Sequence, residues 1–275
     1  MRCSWNELLS VLPTWMRREV DELSRDTLQE LRLRRGQPPE LICNNGKYSL
    51  KRKIGQEDLN FVVNTASRYS PWAAATVGQG YITAPGGHRI GLCGEAVTQQ
   101  GSMTGLRHVS SLCVRVARDF SGIADKLASH RGSILIIGKP GSGKTTLLRD
   151  LIRVRGKCEQ VAVVDERCEL YPTAFAPEGR VDVLCGCGKA QGVELLLRTM
   201  GPDTIAVDEI TSKADCEGLL HCGWCGVSLL ATAHAASKSD FLSRPVYKPL
   251  VESGLFSHLV IIRSDKTWTL ERMDI

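Results

Sequence analysis

Aromatic side chains are scarce in this chain, at 5% of its 275 residues. Proteins that grip single-stranded nucleic acid by stacking need aromatic faces along a basic groove, and no basic stripe interleaved with aromatics is present. Long apolar runs are lacking too: none approaches the ~18 residues that span a bilayer. The opening Met1-Arg2-Cys3-Ser4-Trp5-Asn6-Glu7 brings charge too early for a secretory signal peptide, so none is expected. There is no internal repeat and no low-complexity stretch. Two cysteine pairs at matched spacing, the usual mark of a structural zinc site, are also missing. His221, Cys222 and Cys225 form one cluster and Cys185-Gly186-Cys187 another, with unlike spacing and in different parts of the chain. A Cys-x-x-Cys redox role is disfavoured as well, because the thioredoxin setting of an N-terminal βαβ unit is absent.

What is present is ordinary globular material, 43% hydrophobic and 24% charged. The length suggests about two domains. Eleven cysteines without an export signal point to reduced thiols in a cytosol. The net charge of +5 is uneven: residues 1–130 hold 17 Lys and Arg against 12 Asp and Glu, whereas residues 131–275 balance at 18 each. Such a surplus can face nucleic acid, anionic lipid or a neighbouring subunit's nucleotide, or be plain solvated surface.

Residues Gly138, Lys139, Pro140, Gly141, Ser142, Gly143, Lys144 and Thr145 spell a complete phosphate-binding loop. Ile134-Leu135-Ile136-Ile137 before it reads as a buried parallel strand. Leu147, Leu148, Leu151 and Ile152 after it recur at helical spacing. Glycines let the backbone wrap an anion, and the helix start adds its positive dipole end. These residues, with Thr146, are expected to bind ATP. Lys144 would reach the β- and γ-phosphates, and the Thr145 hydroxyl would ligate Mg²⁺.

Hydrolysis needs carboxylates. Thr204-Ile205-Ala206-Val207 is an apolar strand ending in Asp208-Glu209; Asp208 would hold Mg²⁺, and Glu209 would orient and deprotonate water. Val161–Val164 ends in Asp165-Glu166-Arg167, and Leu229-Leu230-Ala231 ends in Thr232-Ala233-His234. Ligands of open α/β sheets lie at the carboxyl ends of strands, so these ends converge. His234 would sense or polarise the γ-phosphate. Glu166 competes with Glu209 for the role of base. The positive charge that arrives with the transition state would come from the basic N-terminal part, with Arg89, Arg115 and Arg118 as possible arginine fingers.

Along the chain, residues 1–118 read as a small α+β domain. It opens with one or two short amphipathic helices and continues into strands around Leu31–Arg34, Leu41–Cys43 and Tyr48–Leu50. An Asn44-Asn45-Gly46 turn joins the last two, its Asn45-Gly46 pair being a hairpin signal. A helix is expected over Glu57–Tyr69, then strands Tyr81–Thr83, Arg89–Ala96 and Ser111–Ala117. Residues 119–132 read as a connector that includes a helix over Ile123–Ser129. From 133 to 275, strands Ile134–Ile137, Val161–Val164, Val181–Leu184, Thr204–Val207, Val227–Ala231 and Leu259–Ile262 alternate with helices. An edge strand over Trp268–Met273 closes the pattern. This is the pattern of an α/β domain with a mostly parallel sheet covered by helices on both faces; with its phosphate loop it resembles the P-loop NTPases of RecA-like (ASCE) type.

The residues just quoted resemble the stage III sporulation protein AA family, relatives of the type II and type IV secretion and pilus ATPases. The resemblance runs through Glu30–Arg34, Gly80–Thr83, Pro85–Arg89 and Ser110–Arg118. It continues through the phosphate loop, Val164–Arg167, Arg180–Ala190, Ile205–Ile210 and Ala231–Ala235. Asp165-Glu166 resembles the Asp box, Asp208-Glu209 the Walker B site and His234 the His box. The resemblance implies a cytoplasmic ATPase, peripheral on the inner face of the membrane, assembled as a homo-hexamer. It would dock on integral membrane proteins of a channel between mother cell and forespore. Cys168 and Gly188 depart from the family's usual Ser and Pro. No nucleic acid partner is expected; the alternative is a nucleic-acid-binding P-loop ATPase with a basic N-terminal domain.

Overall fold

Period-two alternation before residue 118 and continuous apolar runs after 133 demand two kinds of sheet, and both form. The structure is a computed structural model that describes residues 3–67, 80–99, 101–171 and 175–273. The chain divides into two compact units, Met1–Asp119 with Pro172–Phe175, and Phe120–Tyr171 with Ala176–Ile275.

The first unit contains α1 (Trp5–Val11), α2 (Thr14–Ser24), β1 (Leu28–Arg34), β2 (Glu40–Cys43), β3 (Gly46–Ser49), α3 (Gln56–Ser67), β4 (Tyr81–Thr83), β5 (Arg89–Gln99) and β6 (Ser102–Arg115). The strands pair antiparallel in the order β3-β2-β1-β6-β5-β4. Leu31, Leu33, Leu41, Ile90 and Val114 from the sheet bury against Leu8, Met16 and Val20 of α1 and α2 and Leu59 and Val62 of α3. The β2–β3 hairpin turns on Asn44-Asn45, within the turn read from the sequence, and Gly46 opens β3 opposite Cys43. That register keeps Leu41 and Cys43 on the core side; a one-residue slip would turn both outward. The end of the helix expected to reach Tyr69 lies outside the described residues. β5 and β6 pair as far as Gln99 and Ser102, beyond the expected strands, with Glu95 and Ala96 exposed. Backbone pairing alone continues there, and without a buried face there is no alternation to read.

The second unit contains β7 (Ile134–Gly138), α4 (Lys144–Gly156), β8 (Val161–Asp165), β9 (Val181–Cys185), α5 (Lys189–Thr199), β10 (Thr204–Ile210), α6 (Lys213–Trp224), β11 (Ser228–His234), α7 (Lys238–Ser243), α8 (Lys248–Glu252), β12 (His258–Ile262) and β13 (Trp268–Arg272). Its sheet runs β13-β12-β7-β11-β10-β8-β9, parallel throughout except for the antiparallel edge β13. Each central strand is buried on both faces. Ile134 and Ile136 join Leu147, Leu148 and Leu151 of α4 on one side. Leu135 and Ile137 join a cluster with Val193, Leu196, Cys216 and Leu219 of α5 and α6 on the other.

The segment read as a connector packs into the second unit from Phe120 onward. Ala124 and Leu127 are fully buried there, and the Ala124 N–H donates to the buried Asp150 carboxylate of α4 at 2.7 Å. The helix expected over Ile123–Ser129 shrinks to a single 3₁₀ turn, Asp125–Leu127. Anchoring at Ala124 and Leu127 takes the place of helical propagation, which so short a segment supports poorly.

Candidate active site

The carboxyl ends of β7, β8, β10 and β11 carry the polar groups of the second unit. Asp165, Asp208, Glu209 and His234 lie inside their strands rather than in the loops beyond. In the phosphate loop, Gly141 and Gly143 take φ of 75° and 103°, in the left-handed region that favours glycine. At Gly138 an added Cβ would lie 2.5 Å from Ser142 Oγ and 3.0 Å from the Ile262 carbonyl oxygen, so the loop closes only on glycine. The Ser142 hydroxyl is itself buried without a hydrogen-bond partner among the described residues. Such an orphan calls for a ligand.

Lys144, the first residue of α4, is 6% exposed. Its ammonium donates to the carbonyl oxygens of Gly138 and Lys139 and to His234 Nδ1, each at 3.0 Å. Burial pushes this ammonium below the ordinary lysine range, while Asp208 and Glu209 act the other way. An ammonium only donates, so His234 Nδ1 must accept and its Nε2 carries the hydrogen. That hydrogen is donated to Glu209 Oε1 at 2.9 Å.

A second line of hydrogen bonds runs through Asp208. Thr145 Oγ1 donates to Asp208 Oδ2 at 2.7 Å and Thr232 Oγ1 donates to Asp208 Oδ1 at 2.6 Å. The same Thr232 hydroxyl accepts the Glu209 backbone N–H at 2.8 Å. Register along β10–β11 slips between Val207 and Ile210, a bulge that puts Glu209 at φ 55°. That conformation costs a non-glycine residue roughly 1–2 kcal/mol. It turns the Glu209 carboxylate back toward His234, where Oε2 also meets Arg167 at 3.2 Å.

Asp165 is 2% exposed and holds the turn after β8, accepting the N–H groups of Glu169 at 2.9 Å and Tyr171 at 2.8 Å. Burial raises its carboxyl above the usual carboxylate range, and backbone hydrogen bonds from Tyr171 and Leu170 work against the rise. Beside it, Glu166 is bound by Lys189, the first residue of α5, whose ammonium also lies 3.9 Å from Asp215. Asp215 closes a capping box with Ser212 at the start of α6. A shallow cleft lined by Asp165, Glu166, Arg167, Glu169, Lys189, Asp208 and Glu209 results.

Lys144, Thr145, Asp208, Glu209 and His234 are thus linked by direct contacts or through Thr232. Glu166 lines the same cleft but is tied to Lys189. Arg89, Arg115 and Arg118 belong to the first unit. Arg89 lies 4.0 Å from the Tyr81 ring centroid, and Arg115 Nε lies 3.6 Å from Glu30. Arg118 donates to the carbonyls of Arg25 and Leu28. Thr232 and Arg167 stand at the strand ends that the sequence brings together, but three pairings are not readable there: Thr232 as a bridge, Arg167 on Glu209 and Lys189 on Glu166. A polar residue two positions before His234, inside a buried strand, was the available signal for Thr232. The two cations carry no local pattern, because their partners come from other strands.

The residues present fit a nucleotide with its metal: the orphaned Ser142 hydroxyl, the glycine cradle and the Thr145–Asp208 pair all gather at one strand edge. The fold is the one shared by the P-loop secretion and pilus ATPases. The structure matches the ATPase DotB of Legionella pneumophila with a TM-score of 0.62, 17% identity, 95% of this chain and 80% of that one. It matches the pilus retraction motor PilT, solved with bound ADP, with a TM-score of 0.62, 18% identity, 90% of this chain and 76% of that one. The family model described as sporulation stage III, protein AA covers residues 4–270, and the chain belongs to that family. Stage III sporulation protein AA of Bacillus subtilis is 36% identical over 271 residues, covering 91% of this chain and 88% of that protein.

Proposed function

We propose that this chain is a Mg²⁺-dependent ATPase of the secretion-motor type, working as a homo-hexamer. Hydrolysis would drive assembly of, or transport through, a membrane channel between mother cell and forespore during sporulation. One observation carries the hydrolytic part. Glu209 is held by His234 and by Thr232, and these lead respectively to Lys144 and, through Asp208, to Thr145. Every one of those residues has a task in phosphoanhydride hydrolysis. Gly138–Thr146 wrap the phosphates, and Lys144 turns from the loop carbonyls to the β- and γ-phosphates. Thr145 and Asp208 would hold Mg²⁺, which would offset charge on the phosphate oxygens. Glu209 accepts a proton from the attacking water, with His234 and Thr232 fixing its orientation. Glu166 is held by the buried Lys189, whereas the cation on Glu209, Arg167, is half exposed and readily exchanged, which favours Glu209 as the base.

The biological half of the reading rests on membership of the sporulation family and on the folds shared with an ATPase and a pilus motor. That membership is also what supports a position at the inner, cytoplasmic face of the membrane beside integral partners; among the described residues no helix is long and apolar enough to cross a membrane. Arg89, Arg115 and Arg118 remain the fingers proposed from the first unit. Of these, Arg115 has its side chain 66% exposed and, among the described residues, is held by one long ion pair to Glu30.

The test is ATP turnover by the purified chain against Lys144→Ala. Losing the ammonium should lower turnover by about 10²-fold or more. A rate that survives the substitution sinks the enzyme reading.

A further inference from the structure

The cleft beside the phosphate loop is lined by five carboxylates and two cations. One cation is spoken for: Lys189 is 6% exposed, bound to Glu166 and close to Asp215. The other, Arg167, has its side chain 50% exposed and, among the described residues, meets a single partner, Glu209 Oε2, through one N–H at 3.2 Å. Half-exposed pairs with one long hydrogen bond are weak and readily exchanged. The backbone beneath Arg167 is fixed by contrast. The Asp165 carboxylate binds the N–H groups of Glu169 and Tyr171. The Asp165 carbonyl accepts from Cys168 at 3.2 Å, and Cys168 sits at φ 52°. Arg149 of α4 donates to the Glu169 carbonyl at 2.7 Å, tying this turn to the helix that opens at the phosphate loop. Arg167 is therefore a long cationic side chain on a rigid base, loosely engaged, one residue's contact away from His234 and two from Lys144.

The contact it makes occupies the oxygen a base needs. Glu209 Oε1 accepts from His234 and Oε2 from Arg167. A carboxylate engaged on both oxygens by donors is poorly placed to take a proton from water. A terminal phosphoryl group offers a guanidinium three oxygens, more charge and fork geometry. ADP ends in such a group only at the β position, whereas a triphosphate places one at the γ position, and a ligand shifts an equilibrium by its differential affinity for the two states.

We infer that Arg167 is a catalytic residue supplied by the ATPase unit itself: paired with Glu209 without nucleotide, it moves its guanidinium to the terminal phosphoryl group of ATP and frees Glu209 Oε2 for the attacking water. The water oxygen bonds phosphorus as the bond to the ADP oxygen breaks. The proton passes to Glu209 and then to the released phosphate. ADP cannot draw Arg167 across, so the clamp on Glu209 returns after each turnover. This rests on the ATPase reading above and adds a cation distinct from those of the first unit.

The experiment measures, on the full-length chain, the binding of fluorescent ADP and of a non-hydrolysable ATP analogue, trapping of ADP with aluminium fluoride, and turnover. It compares wild type with Arg167→Ala, Arg167→Gln and Arg167→Lys. The expected result is unchanged ADP binding, analogue binding weaker by about tenfold and turnover lower by about 10²–10³-fold in the Ala and Gln variants, with partial rescue by Lys. Aluminium fluoride trapping should be lost in step with turnover. Unchanged ADP binding also shows that the variants fold. Equal losses for ADP and the analogue, or wild-type turnover and trapping in Arg167→Gln, overturn the assignment. If wild-type turnover is Lys144-dependent while the Arg167 variants match it, only this inference falls. If wild type itself neither binds nor hydrolyses ATP, the ATPase reading falls and this one with it.

Discussion

His88 shows how a single buried polar residue links protonation to stability. It is fully buried in the first unit; its Nδ1 accepts the Ala117 N–H at 3.1 Å, and Nε2 donates to the Ser4 carbonyl at 3.0 Å. Both nitrogens are used only by the neutral ring with hydrogen on Nε2. Burial pushes the imidazole below its ordinary range, against the opposing pull of the Ser4 hydrogen bond and Glu7. The unfolded chain then binds a proton at about pH 6.5 that the folded chain refuses. The stabilising contribution is therefore present above that pH and is lost as pH falls toward the lower folded value. Denaturant unfolding should show His88→Gln less stable at neutral pH yet flatter between about pH 7.5 and 5.5. An identical slope in wild type and variant would assign the acid sensitivity to other groups. At this same scale the site residues differ in legibility. Lys144 and Thr145 are fixed by local motif, whereas Arg167 acquires meaning only because β8 and β10 are neighbours in the sheet.

Elements place these residues by close backbone approach. Gly192 on α5 lies against β8, and a Cβ there would sit 2.6 Å from Val164 Cγ1 and 3.1 Å from Cγ2. Val164 is 1% exposed, so it has nowhere to move. Gly192→Ala should therefore lift α5 from the sheet and lower stability by about 1–3 kcal/mol, despite the better helix propensity of alanine. Thermal or denaturant unfolding checks it, and a more stable variant would mean that α5 packs with slack. Because β8 ends at Asp165, whose turn carries Glu166 and Arg167, this substitution should also reduce turnover. The elements themselves were readable where burial imposes a period. β7 and β8 announce themselves as apolar runs because both of their faces are covered. The far part of the β5–β6 ribbon and the short turn at Asp125–Leu127 lack a buried face or helical length, and so lack the signal.

For the whole molecule the question is whether one copy contains a finished site. The basic surplus falls within residues 1–130, and the arginines proposed as fingers from sequence belong to the first unit. A homo-oligomer whose sites are completed by neighbours should show specific ATPase activity that rises with protein concentration and levels off as rings fill. A specific activity independent of concentration across the assembly range, measured with sedimentation, would mean that each copy works alone. The alternative of nucleic acid binding through the basic part predicts affinity that falls steeply with salt. Absent or salt-insensitive binding of DNA and RNA removes it.

The phosphate loop, the order of the strands in the chain and the acid-ended apolar runs were all legible from the residues alone. Each depends on near neighbours: glycine conformational freedom, continuous burial and helical spacing. What the linear chain could not decide is the pairing of side chains across strands. Asp208 meets both Thr145 and Thr232, Glu209 bends back through a bulge to His234 and Arg167, and Glu166 is taken by Lys189. Those choices follow from the order β7-β11-β10-β8, which brings residues far apart in sequence within hydrogen-bond distance. Strand order is decided by the joint packing of two helix layers, and no short window of sequence encodes it.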